Sequence, residues 1–189
     1  MARRVLANLD LQANEVINLG TPTLSTDGAN KAYVDGVAAA ASIPLAIRKS
    51  VTQQTQATAT LTNVTGLSWT VASGVMYHFK IMGSYQSNNT ANGIGFAFTG
   101  PATTYCSWNV QIQQAAAGTD MMYQNVATAL TTALNSASVV ATATTYAWEL
   151  EGFFQPSAAG TLQLQFRSEV NGNTSTLNAG TLGILTTIG

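Results

Sequence analysis

Charge is what this sequence has least of. Lys, Arg, Asp and Glu together make up 8% of its 189 residues, 7 basic against 8 acidic, for a formal net charge of −1; an average globular chain carries about a quarter. Without a basic stripe there is no electrostatic footprint for nucleic acid, and without an acidic block there is no acidic tail. The single cysteine, Cys106, excludes an internal disulfide, so robustness has to come from packing and oligomerisation, which suits synthesis in a reducing cytoplasm. No apolar run is long enough for a membrane-spanning helix. The opening Met1-Ala2-Arg3-Arg4 has the charge of a signal peptide, but Asn8 and Asp10 interrupt the apolar stretch that should follow, so no secretory signal is expected.

The missing charge is replaced by Thr, Ser, Asn, Gln, Ala and Gly, while the hydrophobic share stays ordinary at 46%. A free monomer uses charge to stay soluble and to keep strand edges apart. A surface this neutral suits a protein consumed in a permanent assembly; the plainer alternative is an extracellular β domain that happens to be rich in Thr and Asn.

The chain reads in three parts: an extended segment over 1–26, a short helix over 27–44, and a β body over 45–189. Leu9, Leu11, Val16, Ile17 and Leu19 are too apolar for a free tail. They are also too few to offset backbone ordering at roughly 1 to 2 kcal/mol per residue. Asp27 then reads as a helix N-cap, and Ser42-Ile43-Pro44 ends the helix because a residue before proline is pushed out of the α region. Tyr33, Val37 and Ala40 fall at i, i+4 and i+7, with Val34, Ala38 and Ala41 one residue on. That stripe is short for a helix standing alone in water, where about 12 to 15 residues are needed, and a three-helix bundle would support it. The candidate attachment and trimer-core residues are therefore Leu9, Leu11, Val16, Ile17, Leu19, Tyr33, Val34 and Val37.

The same segment resembles the attachment and shaft modules of bacteriophage tail fibres and related virion fibres. There a Leu-Asp-x-x-x-Asn-x-Ile-x-Asn-Leu-x-x-Pro-like run precedes Asp-x-x-Asn-Lys-x-Tyr-Val-Asp. Here the matching residues are Leu9, Asp10, Asn14, Ile17, Asn18, Leu19 and Pro22, then Asp27, Asn30, Lys31, Tyr33, Val34 and Asp35. The resemblance covers about thirty residues and none beyond them.

From Leu45 onward the period is two. Tyr77, Phe79, Ile81 and Tyr85 alternate with polar residues, as do Trp108, Val110 and Ile112, and Leu162, Leu164 and Phe166. These are half-buried strands. Further strands are expected at 57–61, 67–72, 93–99, 139–154 and 177–188, with 115–138 as a long loop or an irregular strand. Eight to ten antiparallel strands and no second helix predict a β-sandwich or jelly roll. The run as a whole resembles the trimeric jelly rolls of the tumour-necrosis-factor type and of the first complement component.

The residues of catalysis are sparse. His78 is alone on a strand, Cys106 has no Cys or His at metal spacing, and no phosphate-binding glycine loop exists. Glu149 and Glu151 share a strand face, as paired catalytic carboxylates would. Pairing of that strand with the next would set one of them opposite Arg167, so a cross-strand ion pair is preferred to acid–base chemistry. The sequons at Asn63, Asn88 and Asn173 read as chance matches in an Asn- and Thr-rich chain. The Ser, Asn and Tyr of loop 84–92 could bind sugar; no specific receptor-binding residue is assigned.

The expectation is thus a structural protein of a phage virion with no enzymatic activity, cofactor or metal. It would be a homotrimeric tail or baseplate fibre, assembled in the host bacterial cytoplasm, docking on other phage structural proteins (baseplate, tail or capsid) by its N-terminus and exposing its β domain for host attachment. Alternatives are a head fibre or capsid decoration protein, or an adhesin module for a cell-surface glycan. Neither nucleic acid nor membrane insertion is expected.

Overall fold

Residues 20–23, 34, 45–114 and 122–188 are the described part of a computed structural model of the chain. Two compact units divide it, Met1–Ile43 and Pro44–Gly189. In the first, Val34 is helical and 51% exposed. The other candidate attachment residues, Leu9, Leu11, Val16, Ile17, Leu19, Tyr33 and Val37, lie outside the described residues, as does nearly all of the expected helix.

The second unit is mainly β, as the alternation predicts. Its strands are β1 (Leu45–Lys49), β2 (Gln54–Gln56), β3 (Thr62–Val71), β4 (Tyr77–Ser87), β5 (Ile94–Thr99) and β6 (Thr103–Gln113), followed by β7 (Met122–Ala127), β8 (Leu134–Asn135), β9 (Tyr146–Pro156), β10 (Gly160–Ser168), β11 (Ser175–Leu177) and β12 (Leu182–Thr187). They form two antiparallel sheets. One runs β1-β12-β4-β9-β6-β7, with the short β2 and β11 added beside β4; the other runs β3-β10-β5-β8. Set aside the β6–β7 hairpin and the β2–β11 ribbon, and the sheets are β1-β12-β4-β9 and β3-β10-β5-β8. That is the eight-strand order of a jelly roll.

Inward alternation fills the space between the sheets. Phe79, Ile81, Trp148, Leu150 and Trp108 from the larger sheet meet Trp69, Phe96, Phe98, Leu164 and Phe166 from the smaller, all 3% exposed or less. Ring pairs cross the interior, with Phe96 and Trp148 centroids 4.3 Å apart and Phe79 and Phe98 4.8 Å apart. The tryptophans need room that only glycine leaves. A Cβ on Gly183 would stand 2.6 Å from the Trp69 ring, and one on Gly83 would stand 2.8 Å from Trp148 Cζ2. A register shift between Gln163 and Gln165 marks an irregularity where β10 pairs with β3. Here Gly66 sits at φ 85°, and the Gln163 side-chain amide donates to the Val64 and Leu67 carbonyls at 2.9 and 3.0 Å.

Five sequence expectations are corrected. β9 and β10 do not form a hairpin: the turn at 157–159 carries the chain from one sheet to the other. Both strands face the same core, so their apolar alternation is satisfied without pairing. Residues 57–61 form a turn between β2 and β3 rather than a strand. They are tied down by hydrogen bonds such as Ala59 N–H to Asn171 Oδ1 at 2.7 Å. The stretch expected to be irregular contains a regular edge strand, β7, paired with β6 from Trp108↔Ala127 to Gln113↔Met122. Finally, 139–145 is loop, and a turn at 178–181 with Gly180 at φ 94° separates β11 from β12.

The strand directions give the domain two unlike ends. Leu45 lies opposite Thr186, and Tyr77 opposite both Thr187 and Phe154, so β1 begins and β12 ends where turns 72–76, 100–102 and 157–159 cluster. The opposite end carries loops 88–93, 136–145, 169–174 and 178–181, cross-linked by Asn88 N–H to Thr174 O, Val139 N–H to Thr90 O and Ala143 N–H to Ser87 O.

Candidate functional site

Cross-strand register fixes the outer face of the eight-stranded sheet row by row. One row reads Thr186, His78, Phe153, Ser107; the next Ile184, Lys80, Glu151, Asn109, Val126; the next Leu182, Met82, Glu149, Gln111, Gln124. Lys80 reaches diagonally to Glu149 (Nζ–Oε1 2.9 Å), and His78 Nε2 lies 2.9 Å from Glu151 Oε1. The hydrogen bond to Glu149 holds the Lys80 ammonium above the usual lysine value. The His78 ring also lies against Phe153, with centroids 4.8 Å apart.

The expected Glu–Arg167 pair does not form. Arg167 is on the other sheet, donating to Asn135 Oδ1 and to the Ala59 carbonyl, both at 3.1 Å. Both carboxylates are instead matched by basic side chains of β4. Each carboxylate of the ladder is therefore engaged by a side chain of the same chain. Cys106 is 7% exposed, and burial pushes its thiol up to about 11, so it is a buried neutral group. Among the described residues no cluster of three or more His, Cys, Asp or Glu could hold a metal.

Around the ladder the face is apolar to a degree the rest of the domain is not. Met82, Tyr105, Met122, Val126 and Phe153 are 36 to 62% exposed, while no large exposed hydrophobic side chain falls on the four-stranded sheet. The outer face of that smaller sheet carries Thr70, Thr161, Gln163, Gln165 and Arg167, several of them hydrogen-bonded within the chain. A hollow of about 750 Å³ on the larger sheet's face is lined by Met82, Gln111, Gln113, Met122, Ala147 and Leu182. Sequence alternation alone gave equal standing to the outward residues of both sheets. What singles out one face is pairing order, which brings Met82, Phe153 and Val126 together.

Of residues 84–92, expected to be a loop, 84–87 are the end of β4 and only 88–92 are loop. Asn92 is fully buried and uses its whole amide: Nδ2 donates to Ser87 Oγ and Ser175 Oγ at 3.0 Å, and Oδ1 accepts from Ser168 Oγ and Val170 N–H at 2.9 and 3.0 Å. That residue ties loop 88–93 to the ends of β4, β10 and β11 and to loop 169–174, and its amide is fully used within the chain. The exposed neighbour, Asn88, remains at the surface. No protein-family model matches the sequence, and no curated protein matches it.

Proposed function

We propose that this chain is a non-enzymatic structural protein of a phage virion, a homotrimeric fibre that docks through its N-terminal segment and presents its jelly-roll domain outward. The virion assignment is drawn from the fibre-like run Leu9 to Asp35. The assembly is supported by one structural observation, the partly apolar outer face of the eight-stranded sheet, whose two carboxylates are engaged within the chain. Exposed apolar side chains gathered on one face mark protein contact, and the opposite sheet face lacks them. A second copy suits a face whose carboxylates are already engaged within the chain.

Light scattering on the full chain tests this. Three times the 19.7 kDa chain mass is expected at micromolar concentration. Met82→Lys, which replaces an exposed apolar side chain in the middle of the face by a charged one, is expected to lower that mass while leaving the β circular dichroism unchanged. A monomeric parent protein would refute the assembly, and a Met82→Lys trimer would refute the face.

A further inference from the structure

At the end of the domain opposite the start of β1, a second and chemically different concavity opens. It has a volume of about 110 Å³ and is lined by Gln86, Ser87, Asn88, Ala143, Thr174 and Thr176. The larger sheet's outer face turns wholly polar here, with Thr55, Thr176, Gln86 and Thr145 in succession where the rows below carry Met, Leu and Phe. Asn88 is clamped in both directions to Thr174: its N–H donates to the Thr174 carbonyl at 3.0 Å, and its Oδ1 accepts from Thr174 N–H at 2.7 Å. That fixes the orientation of the amide and leaves both Nδ2 protons without a partner among the described residues. Gln86 spends Nε2 on Thr145 Oγ1 at 3.0 Å and keeps Oε1 as an acceptor.

One wall is held in a conformation that L residues avoid. Ala143 has φ 55°, the one positive φ at a non-glycine residue among the described residues, and its N–H donates to Ser87 O at 2.9 Å. Strain of this kind persists where the surroundings enforce it, and it clusters at binding sites.

We infer that this concavity is a saccharide-binding site, specific for a neutral sugar edge. The inference rests on the fibre reading only in making the site a receptor contact. A vicinal diol offers donors and acceptors to fixed amide and hydroxyl groups, and the lining presents both: Asn88 Nδ2, Gln86 Oε1 and the threonine hydroxyls. In the described loops at this end the one charged residue is Glu169, whose Oε2 accepts from Gly93 N–H at 3.2 Å. With no cation present, sialylated, sulfated and phosphorylated ligands are disfavoured. The lining carries no large hydrophobic side chain and the volume is small, so a bulky hydrophobic peptide anchor has no room to sit. The volume is that of about three or four liquid waters, enough for the hydroxyl edge of one ring. Single-site affinity is therefore weak, and linked copies would raise it through effective concentration.

The test is Asn88→Asp in the full chain. Aspartate keeps the acceptor for Thr174 N–H and removes the Nδ2 donors, so the fold should survive. Parent and variant are applied to an array of neutral and anionic glycans, and a neutral hit is then titrated as a free oligosaccharide. Thr174→Val serves as the second variant. A neutral-glycan signal that falls about tenfold or more in both variants, with melting temperature unchanged, is the expected result. No binding, binding to anionic glycans alone, or full binding by Asn88→Asp would overturn the site. Light scattering separates the two readings: a trimer that binds no saccharide overturns the site and leaves the fibre, whereas a monomer that binds through Asn88 overturns the fibre and leaves the site.

Discussion

Two tryptophans in the same core should respond unequally to the same substitution. Trp108 and Trp148 are 1% and 3% exposed, and each packs on a phenylalanine of the facing sheet. Truncating either to Ala removes an aromatic and leaves a cavity, at about 3 to 5 kcal/mol. Changing either to Phe removes the same part of the indole, so the packing loss is similar and nearly cancels in the comparison. The hydrogen bonds do not cancel. Trp108 Nε1 donates to the Ala129 carbonyl at 3.0 Å, whereas Trp148 Nε1 is buried with no acceptor. Losing the first bond costs about 1 kcal/mol, and deleting an unmatched buried donor recovers about 1 to 3 kcal/mol. Trp108→Phe should therefore be the more destabilising by about 2 to 4 kcal/mol, roughly 4 to 16 °C in melting temperature for a chain of this size. Urea unfolding at one fixed protomer concentration, because association would make stability concentration-dependent, compares the midpoints at unchanged slope. If Trp148→Phe lost as much stability as Trp108→Phe, the unmatched indole would carry no penalty and the reasoning would fail.

A double-mutant cycle between Glu149 and Lys80 should give a measurable favourable coupling that weakens with salt, while one between Glu149 and Arg167 should give none; coupling in the second would contradict the sheet order. Cys106 should resist a thiol reagent at neutral pH until the protein is unfolded in urea. Its pKa is raised by burial from 9.0 to about 11, so the thiol's contribution to stability is fully present below pH 9 and lost as pH rises through 11. Unfolding midpoints of the parent and Cys106→Ala across that range check the sign, since the difference between them should narrow. Deleting the residues before Ser42 should leave the β circular dichroism intact and abolish incorporation into particles.

The difference between what the sequence disclosed and what it withheld follows from what a period of two encodes. Alternation assigns a face to each residue, and Tyr77, Phe79, Trp108, Trp148, Leu164 and Phe166 all point inward as it requires. It says nothing about which strand lies alongside. Residues 146–156 and 160–168 carry matching patterns because they line one core from opposite sheets, and a matching pattern would also suit a hairpin; hence the mistaken partner for Glu149. Edge strand β7 was obscured for a related reason. With one neighbour and solvent on most of its surface, Met122, Gln124, Asn125 and Val126 are all exposed, so little alternation remains to read. Asn92 gave no signal because a buried amide obeys no periodicity; its place is dictated by Ser87, Ser168 and Ser175 arriving from three other positions in the chain. The same limit governs function. Composition could state that charge was scarce. Only the pairing order places scarce charges together, as Lys80–Glu149 and His78–Glu151 on one face, and leaves the concavity beside Asn88 to uncharged amides and hydroxyls. An ion-paired face and an uncharged concavity are different surfaces with different partners, and the assembly and saccharide experiments address them separately.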